Sequence, residues 1–234
     1  MISGTLFSRS FTSFWQEHLP LGEVLVRKLN TQHLEHYLPR LESAVAANRR
    51  AFVNELAFQL FRHQVENGVS VGKMSQAKLR DFAEQHVGML AASDDMSRSM
   101  SSVELSEAKV LGDRLGGFFA EKERRSTLVI SPSIRGSGIL DSCYGDVIAD
   151  GTLYEVKAGQ RLFRITDLRQ ALTYCALNSA SGQYHVRQIG LLNPRLGVFV
   201  RGSVELMSIE ACGMSSNDLF GSIIQFLSTE GASN

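Results

Sequence analysis

The chain has 234 residues, of which 44% are hydrophobic and 21% charged, and its 24 lysines and arginines balance 24 aspartates and glutamates. This composition is ordinary for a folded domain. A formal net charge of zero argues against a protein that coats nucleic acid by charge alone, although it permits a local basic groove.

The first part of the chain, residues 1–95, is predicted to be helical. Its apolar residues recur near a 3.6-residue period, for example at Phe52, Leu56 and Leu60. The stretch from Ala91 to Ser102 is polar, small and unpatterned, which is typical of a linker. We therefore expect a helical N-terminal region to end near this stretch.

Residues 103–228 are predicted to form a domain of mixed helices and strands in the order α-β-β-β-α-β-β-α. A helical pattern starts at Val103, short strands follow, and the segment "RITDLRQALTYCALN" is predicted as a helix capped by Thr166 or Asp167. This order favours an α/β or α+β fold with a central mixed sheet flanked by helices.

Targeting and redox signals are weak throughout the sequence. The N-terminus has no uninterrupted apolar core of signal-peptide length, and no apolar run approaches the roughly 18 residues that a membrane span needs. The three cysteines form no CxxC pair, so a zinc knuckle or a disulfide framework is not expected. We predict a cytoplasmic protein without a membrane partner.

The segment "GDVIADGTLYEVKAG" carries the strongest local signal. Asp150-Gly151 is typical of a type I′ hairpin turn, because both central residues of that turn need positive φ. The hairpin would place Asp146 on one strand and Glu155 on its neighbour. Side chains alternate along a strand, so Glu155 and Lys157 are expected to share one face while the apolar residues beside them face the other.

Two carboxylates and a lysine in one place are suited to metal-assisted hydrolysis. Asp146 and Glu155 would offer the hard oxygen ligands that Mg²⁺ prefers. A bound metal ion lowers the pKa of a water molecule and neutralises charge on a phosphate group. Lys157 would lie beside the attacking water or a phosphate oxygen.

These residues resemble the PD-(D/E)xK nuclease superfamily, which has an acid near the start of one strand and (D/E)-x-K on the next. The resemblance implies a restriction-endonuclease-like fold and a catalytic role for Asp146, Glu155 and Lys157. It also implies Mg²⁺ or Mn²⁺ as cofactor, bound by the two acids with help from the carbonyl group of Val156. The sequence departs from the literal motif because Gly145, not proline, precedes Asp146.

The downstream helix adds a second point of resemblance. E-x-K alone is a weak signal, since Glu107 and Lys109 also match it within a helical pattern, where such residues do not face each other. However, Gln170 and Tyr174 give the Q-x-x-x-Y pattern of the RecB-like subgroup, in which these residues lie near the metal and the DNA. The resemblance implies a catalytic role for Gln170 and a nucleic-acid contact for Tyr174; the alternatives are a solvated amide and a half-buried aromatic ring.

Two further acids are candidates for the same centre. The RecB-like subgroup usually adds an acid from a helix before the first strand, which makes Glu104 or Glu107 a candidate metal ligand; a solvated helix charge is the alternative. Asp141 rivals Asp146 as the strand carboxylate, either instead of it or together with it. Arg161 and Arg164 follow the lysine strand and are candidates for holding backbone phosphates.

The sequence therefore predicts a metal-dependent nuclease that hydrolyses phosphodiester bonds of DNA, with a role in restriction, repair or anti-phage defence implied by the resemblance. One alternative is a non-cleaving module that binds nucleic acid or protein on the same fold. Another is a nuclease that acts on RNA. The neutral charge and the added helices indicate that a protein partner or a homo-oligomer supplies targeting.

Overall fold

The computed structural model describes residues 1–90, 100–121 and 128–232. Over these ranges the chain has a mixed α/β fold with nine α-helices, a six-stranded mixed sheet and a small two-stranded sheet. The predicted fold class, a central mixed sheet flanked by helices behind a helical N-terminal region, is confirmed. Most of the candidate linker, residues 91–99, lies outside the described residues.

The helices are, in chain order, α1 (Gly4–Ser10), α2 (Thr12–His18), α3 (Gly22–Gln32), α4 (Arg50–Asn67), α5 (Gln76–Leu90), α6 (Ser102–Glu121), α7 (Ile165–Ser181), α8 (Val204–Cys212) and α9 (Ser216–Ala232). The strands are β1 (Glu35–His36), β2 (Leu128–Ile130), β3 (Ser133–Ile134), β4 (Cys143–Tyr144), β5 (Val147–Ala149), β6 (Thr152–Val156), β7 (Gln188–Asn193) and β8 (Val198–Ser203). The β3–β4 hairpin and helix α8 are additions to the predicted order. No helix of the described ranges has the length and apolar character that crossing a bilayer requires.

The main sheet has the strand order β1-β8-β7-β6-β5-β2. Strands β6 and β7 run parallel and are connected by helix α7, whereas the other neighbouring pairs are antiparallel. Parallel strands are usually covered on both faces and are therefore continuously apolar. Strand β7 follows this rule, because every residue from Ile189 to Asn193 is buried.

Helices cover both faces of the sheet. On one face Ile148, Leu153 and Leu191 pack against α1–α3 and α7–α9. On the other face Tyr154 and Leu192 pack against aromatic residues of α4 and α6. The alternation of side chains along β6 sends Leu153 and Tyr154 into opposite layers, and it puts Glu155 on the α7 side.

The predicted regions 1–95 and 103–228 share their hydrophobic core. Phe14 of α2 contacts Phe226 of α9 with ring centroids 4.4 Å apart, and Phe61 of α4 stacks on Phe119 of α6 at 5.3 Å. Strand β1 adds a short edge to β8. The N-terminal helices are therefore part of the layers that cover the sheet.

Candidate metal centre

The β5–β6 hairpin has the turn that the sequence predicts. Asp150 and Gly151 have φ values of 45° and 79°, and the flanking residues Ala149 and Thr152 are paired. Positive φ at both central positions is the requirement of a type I′ turn. Val147 pairs with Tyr154, so Asp146 and Glu155, one residue further from the turn on each strand, lie directly opposite each other.

Three of the predicted site residues meet at the open end of this hairpin. The carboxylate of Asp146 accepts a hydrogen bond from the backbone N–H of Val156 at 2.6 Å. Lys157 Nζ lies 2.6 Å from Glu155 Oε1. Glu155 is only 3% exposed, because α7 covers its face of the sheet. Glu155 is thus buried, whereas Asp146 and Lys157 are half-buried at the rim of the cluster.

Burial makes ionisation of both carboxyl groups costly. The pKa of Glu155 is raised to about 8, first by desolvation and then by the charge of Asp146. Desolvation also raises the pKa of Asp146 to about 6, although the hydrogen bond from Val156 and the charge of Lys157 oppose it. A single lysine therefore leaves the acid pair short of positive charge.

Helix α7 completes the cluster with the Gln170–Tyr174 pair. Gln170 Oε1 accepts from Lys157 Nζ at 3.1 Å, and Gln170 Nε2 donates to the hydroxyl oxygen of Tyr174 at 3.0 Å. The two residues are one helical turn apart, so they share a face of α7. Tyr174 is 4% exposed, so its ring supports Gln170 from the core and offers almost no surface to a nucleic acid.

The structure separates the two candidate strand carboxylates. Asp146 lies beside Glu155, whereas Asp141 is exposed in the loop before β4, where its backbone N–H donates to the carbonyl group of Ile2. The local hairpin explains the difference, because its register places residue 146 opposite residue 155 and leaves residue 141 beyond the paired strands.

Glu107 is not brought to this cluster. Its carboxylate pairs with Arg195 Nη1 at 2.7 Å, and its two oxygens share one bifurcated hydrogen bond from the hydroxyl group of Ser43, at 2.8 and 2.9 Å. The neighbouring candidate, Glu104, pairs with Arg49 at 2.7 Å. The two candidate acids of α6 are thus neutralised by arginines, so neither Glu104 nor Glu107 is available to the acid pair.

A helix acid does approach the centre, but it comes from α4. Glu55 lies near enough to Asp146 for its charge to raise the pKa of that carboxyl group. It is exposed and accepts a hydrogen bond from Gln59 within its own helix. The sequence offers no signal for this approach, because nothing in the spacing of α4 links it to the β5–β6 hairpin.

Two residues at the end of β7 and just after it, Asn193 and Arg195, hold the Ala158–Arg161 loop that follows Lys157. The fully buried Arg195 donates from Nε to the carbonyl group of Ala158 at 2.7 Å. Asn193 Nδ2 donates to the carbonyl groups of Gly159 and Arg161 at 2.9 and 3.1 Å. Arg195 also holds Glu107, so α6 and this loop are joined through one guanidinium group.

The two arginines predicted to contact phosphates lie at the start of α7. Arg161 donates two hydrogen bonds to the carboxylate of Asp167, at 2.6 and 2.9 Å. Arg164 is exposed and is the N-cap residue of α7. The predicted caps, Thr166 and Asp167, are therefore wrong by two or three positions. Asp167 caps the helix from inside its first turn by accepting the backbone N–H of Arg164 at 2.9 Å.

The acid pair fits a divalent cation. Asp146 and Glu155 present adjacent carboxylate groups whose charge one lysine does not balance, and desolvation is the main cause that raises the pKa values of both. In the described ranges no group of three or more His, Cys, Asp or Glu side chains is arranged as metal ligands. Two carboxylates with water and a phosphate group match the usual coordination of Mg²⁺.

The metal-free protein is expected to lose stability as the pH rises. Because the folded-state pKa values of Asp146 and Glu155 lie above their ordinary values, the folded state holds protons that the unfolded state releases, from about pH 4 to about pH 8. Glu155→Gln removes much of this cost. In EDTA at pH 8.5 we expect this variant to be more stable than the wild type by at least about 1.4 kcal/mol, the equivalent of one pKa unit.

Chemical denaturation across this pH range measures the effect. Excess Mn²⁺ should stabilise the wild type at pH 8.5 and leave Glu155→Gln nearly unchanged. Asp141→Asn, which changes an exposed carboxylate, is the matched control and should follow the wild-type profile. Identical pH profiles for Glu155→Gln and the wild type would contradict the proposed cost of the buried acid pair.

No protein-family model matches this sequence, and no curated protein matches it significantly.

Proposed function

We propose that this chain is a metal-dependent nuclease of the PD-(D/E)xK type that hydrolyses phosphodiester bonds of DNA. The observation that carries the proposal is the acid pair of half-buried Asp146 and buried Glu155, with Lys157 hydrogen-bonded to Glu155 at 2.6 Å. Buried charges of this kind are costly to a fold that gains nothing else from them. Perturbed pKa values around such a group favour a functional site.

Asp146 and Glu155 are the residues that would hold the metal ion. When bound, a divalent metal ion lowers the pKa of a water molecule and neutralises charge on the phosphate. The acid pair is fixed before any ligand arrives, since the hydrogen bond from Val156 holds Asp146 and the ion pair with Lys157 holds Glu155. Such preorganisation is what electrostatic catalysis requires.

Lys157 is the group that would act on the water or on a phosphate oxygen. Its ammonium group has three donors, of which Glu155 and Gln170 accept two, so one remains for a substrate oxygen. The hydroxyl oxygen of Tyr174 accepts from Gln170 Nε2, which turns Gln170 Oε1 toward Lys157. Gln170 and Tyr174 therefore act by positioning the lysine.

The test is incubation of the purified protein with linear, circular and single-stranded DNA and with RNA, each in Mg²⁺, in Mn²⁺ and in EDTA. We expect cleavage of DNA that depends on the metal and stops in EDTA. Cleavage of RNA alone would move the protein to the RNA alternative. Binding without cleavage under every condition would leave the non-cleaving module and overturn the proposal.

A further inference from the structure

A cleft of about 840 Å³ opens beside the start of α7 and concentrates positive charge. Arg9 of α1, Arg27 of α3, and Arg161 and Arg164 before α7 line it; we call it the arginine cleft. Glu23 is the one acidic residue in its lining. Asp167 neutralises Arg161, so three arginines remain against Glu23, a local positive excess in a chain whose charges sum to zero.

Three of these arginines are available to a ligand. Arg161 is engaged by Asp167, but Arg9, Arg27 and Arg164 are exposed and form no ion pair with any residue in the described ranges. Exposed arginines in an open cleft keep their charge accessible. Guanidinium groups bind phosphate oxygens with two parallel hydrogen bonds, which makes arginine well suited to phosphate recognition.

The walls of the arginine cleft are tied together. The side chain of Asn30 on α3 donates to the carbonyl group of Phe163 at 2.9 Å and accepts from its backbone N–H at 3.3 Å. Phe163 is buried, and the Arg161–Asp167 ion pair fixes the residues on either side of it. The backbone segments that carry Arg27 and Arg164 are thus held in a constant relation, so binding has to order only their side chains.

The chemistry of the lining fits a chain of phosphates better than a small anion. The volume lies within the range of about 300–1,000 Å³ found for ligand sites, so it exceeds what one phosphate needs.

The arginine cleft adjoins the candidate metal centre. Arg161 lines the cleft and bonds to Asp167 of α7 at 2.6 Å. Gln170, one helical turn further along α7, accepts from Lys157 Nζ of the metal centre at 3.1 Å. We propose that the arginine cleft binds the phosphate backbone of the DNA strand that the metal centre cleaves, so that helices α1 and α3 of the N-terminal region form part of the substrate site. This inference rests on the proposed nuclease function.

The test measures binding separately from cleavage. Fluorescence anisotropy follows a labelled single-stranded oligodeoxynucleotide in EDTA at several KCl concentrations, for the wild type and for the double variant Arg9→Gln/Arg27→Gln. Losing two phosphate contacts should weaken binding at low salt. It should also make the slope of log K against log salt shallower by about 1.4, at roughly 0.7 per contact on a single strand.

The matched control is Lys78→Gln/Arg80→Gln, which removes the same charge from exposed positions on α5. We expect it to keep the wild-type slope. Arg27→Glu alone, which reverses an exposed charge, should weaken binding further than Arg27→Gln. A wild-type slope and affinity in Arg9→Gln/Arg27→Gln, or an equal loss in the control, would overturn the inference.

The outcomes separate this inference from the proposed function. If the wild type cleaves DNA and binding does not depend on Arg9 and Arg27, the proposed role of the arginine cleft is wrong and the proposed nuclease function is retained. If no condition gives cleavage but the salt slope of binding still becomes shallower in Arg9→Gln/Arg27→Gln, the proposed nuclease function is wrong. The cleft is then still a phosphate-binding site. An unlabelled mononucleotide that competes as well as the oligonucleotide would overturn the assignment to a strand.

Discussion

Lys157→Ala is expected to lower the rate of metal-dependent DNA cleavage by at least about 100-fold, the loss typical of removing one preorganised donor from an active site. The ammonium group lies 2.6 Å from Glu155 and 3.1 Å from Gln170, so alanine leaves the acid pair without its cation and the reacting oxygen without a donor. Single-turnover cleavage in Mg²⁺ and in Mn²⁺ measures the effect.

The second E-x-K pattern of the chain provides the control. Lys109 follows Glu107 in α6 with the same spacing, and its ammonium group donates to the carbonyl group of Met74 at 2.8 Å. Lys109→Ala should cleave at the wild-type rate. Thermal unfolding of both variants checks that the fold is kept. Wild-type cleavage by Lys157→Ala would remove Lys157 from the reaction and with it the PD-(D/E)xK assignment.

The central part of the candidate site can be predicted from sequence because it is local. The Asp150-Gly151 turn fixes the hairpin register, and that register alone places Asp146 opposite Glu155. The next helix along the chain brings Gln170 to Lys157. The sequence also predicts the order of the sheet's helices and strands from α6 to β8, since each element follows from its own apolar period.

The remaining features depend on contacts between distant residues. Glu107 has the position of a site acid in sequence, but Arg195, 88 residues further along, takes its carboxylate. Glu55 lies near Asp146 in a fold in which α4 packs on α6, far from the β5–β6 hairpin in sequence. The arginine cleft likewise brings Arg9 and Arg27 to the start of α7 across more than 130 residues, a distance indicated by the Asn30–Phe163 contact. No local pattern in the sequence predicts contacts between residues so far apart along the chain.

Arg195→Met is expected to reduce the free energy of unfolding by about 3–5 kcal/mol, the usual cost of removing one partner of a buried ion pair. Arg195 is fully buried and Glu107 is 8% exposed, so the substitution leaves a carboxylate without its cation in the core. In a chain of this size, the midpoint of thermal unfolding should fall by roughly 6–20 °C. Denaturant titration and thermal unfolding measure the change.

The control is Arg62→Met, because Arg62 pairs with Glu66 at the same 2.7 Å on the surface of α4. Exposed pairs one helical turn apart contribute only about 0.3–0.5 kcal/mol, so this variant should remain close to the wild type.

A double variant separates the ion pair from the loop that it holds. In Glu107→Gln/Arg195→Met no buried charge is left unpaired, so at least about half of the lost stability should return. The bond from Arg195 to the carbonyl group of Ala158 stays broken, and that carbonyl directly follows Lys157. Cleavage by the double variant should therefore remain slow although its stability recovers. Recovery of both would show that Arg195 contributes to the fold alone, whereas stability equal to the sum of the two single losses would contradict the coupling between Glu107 and Arg195.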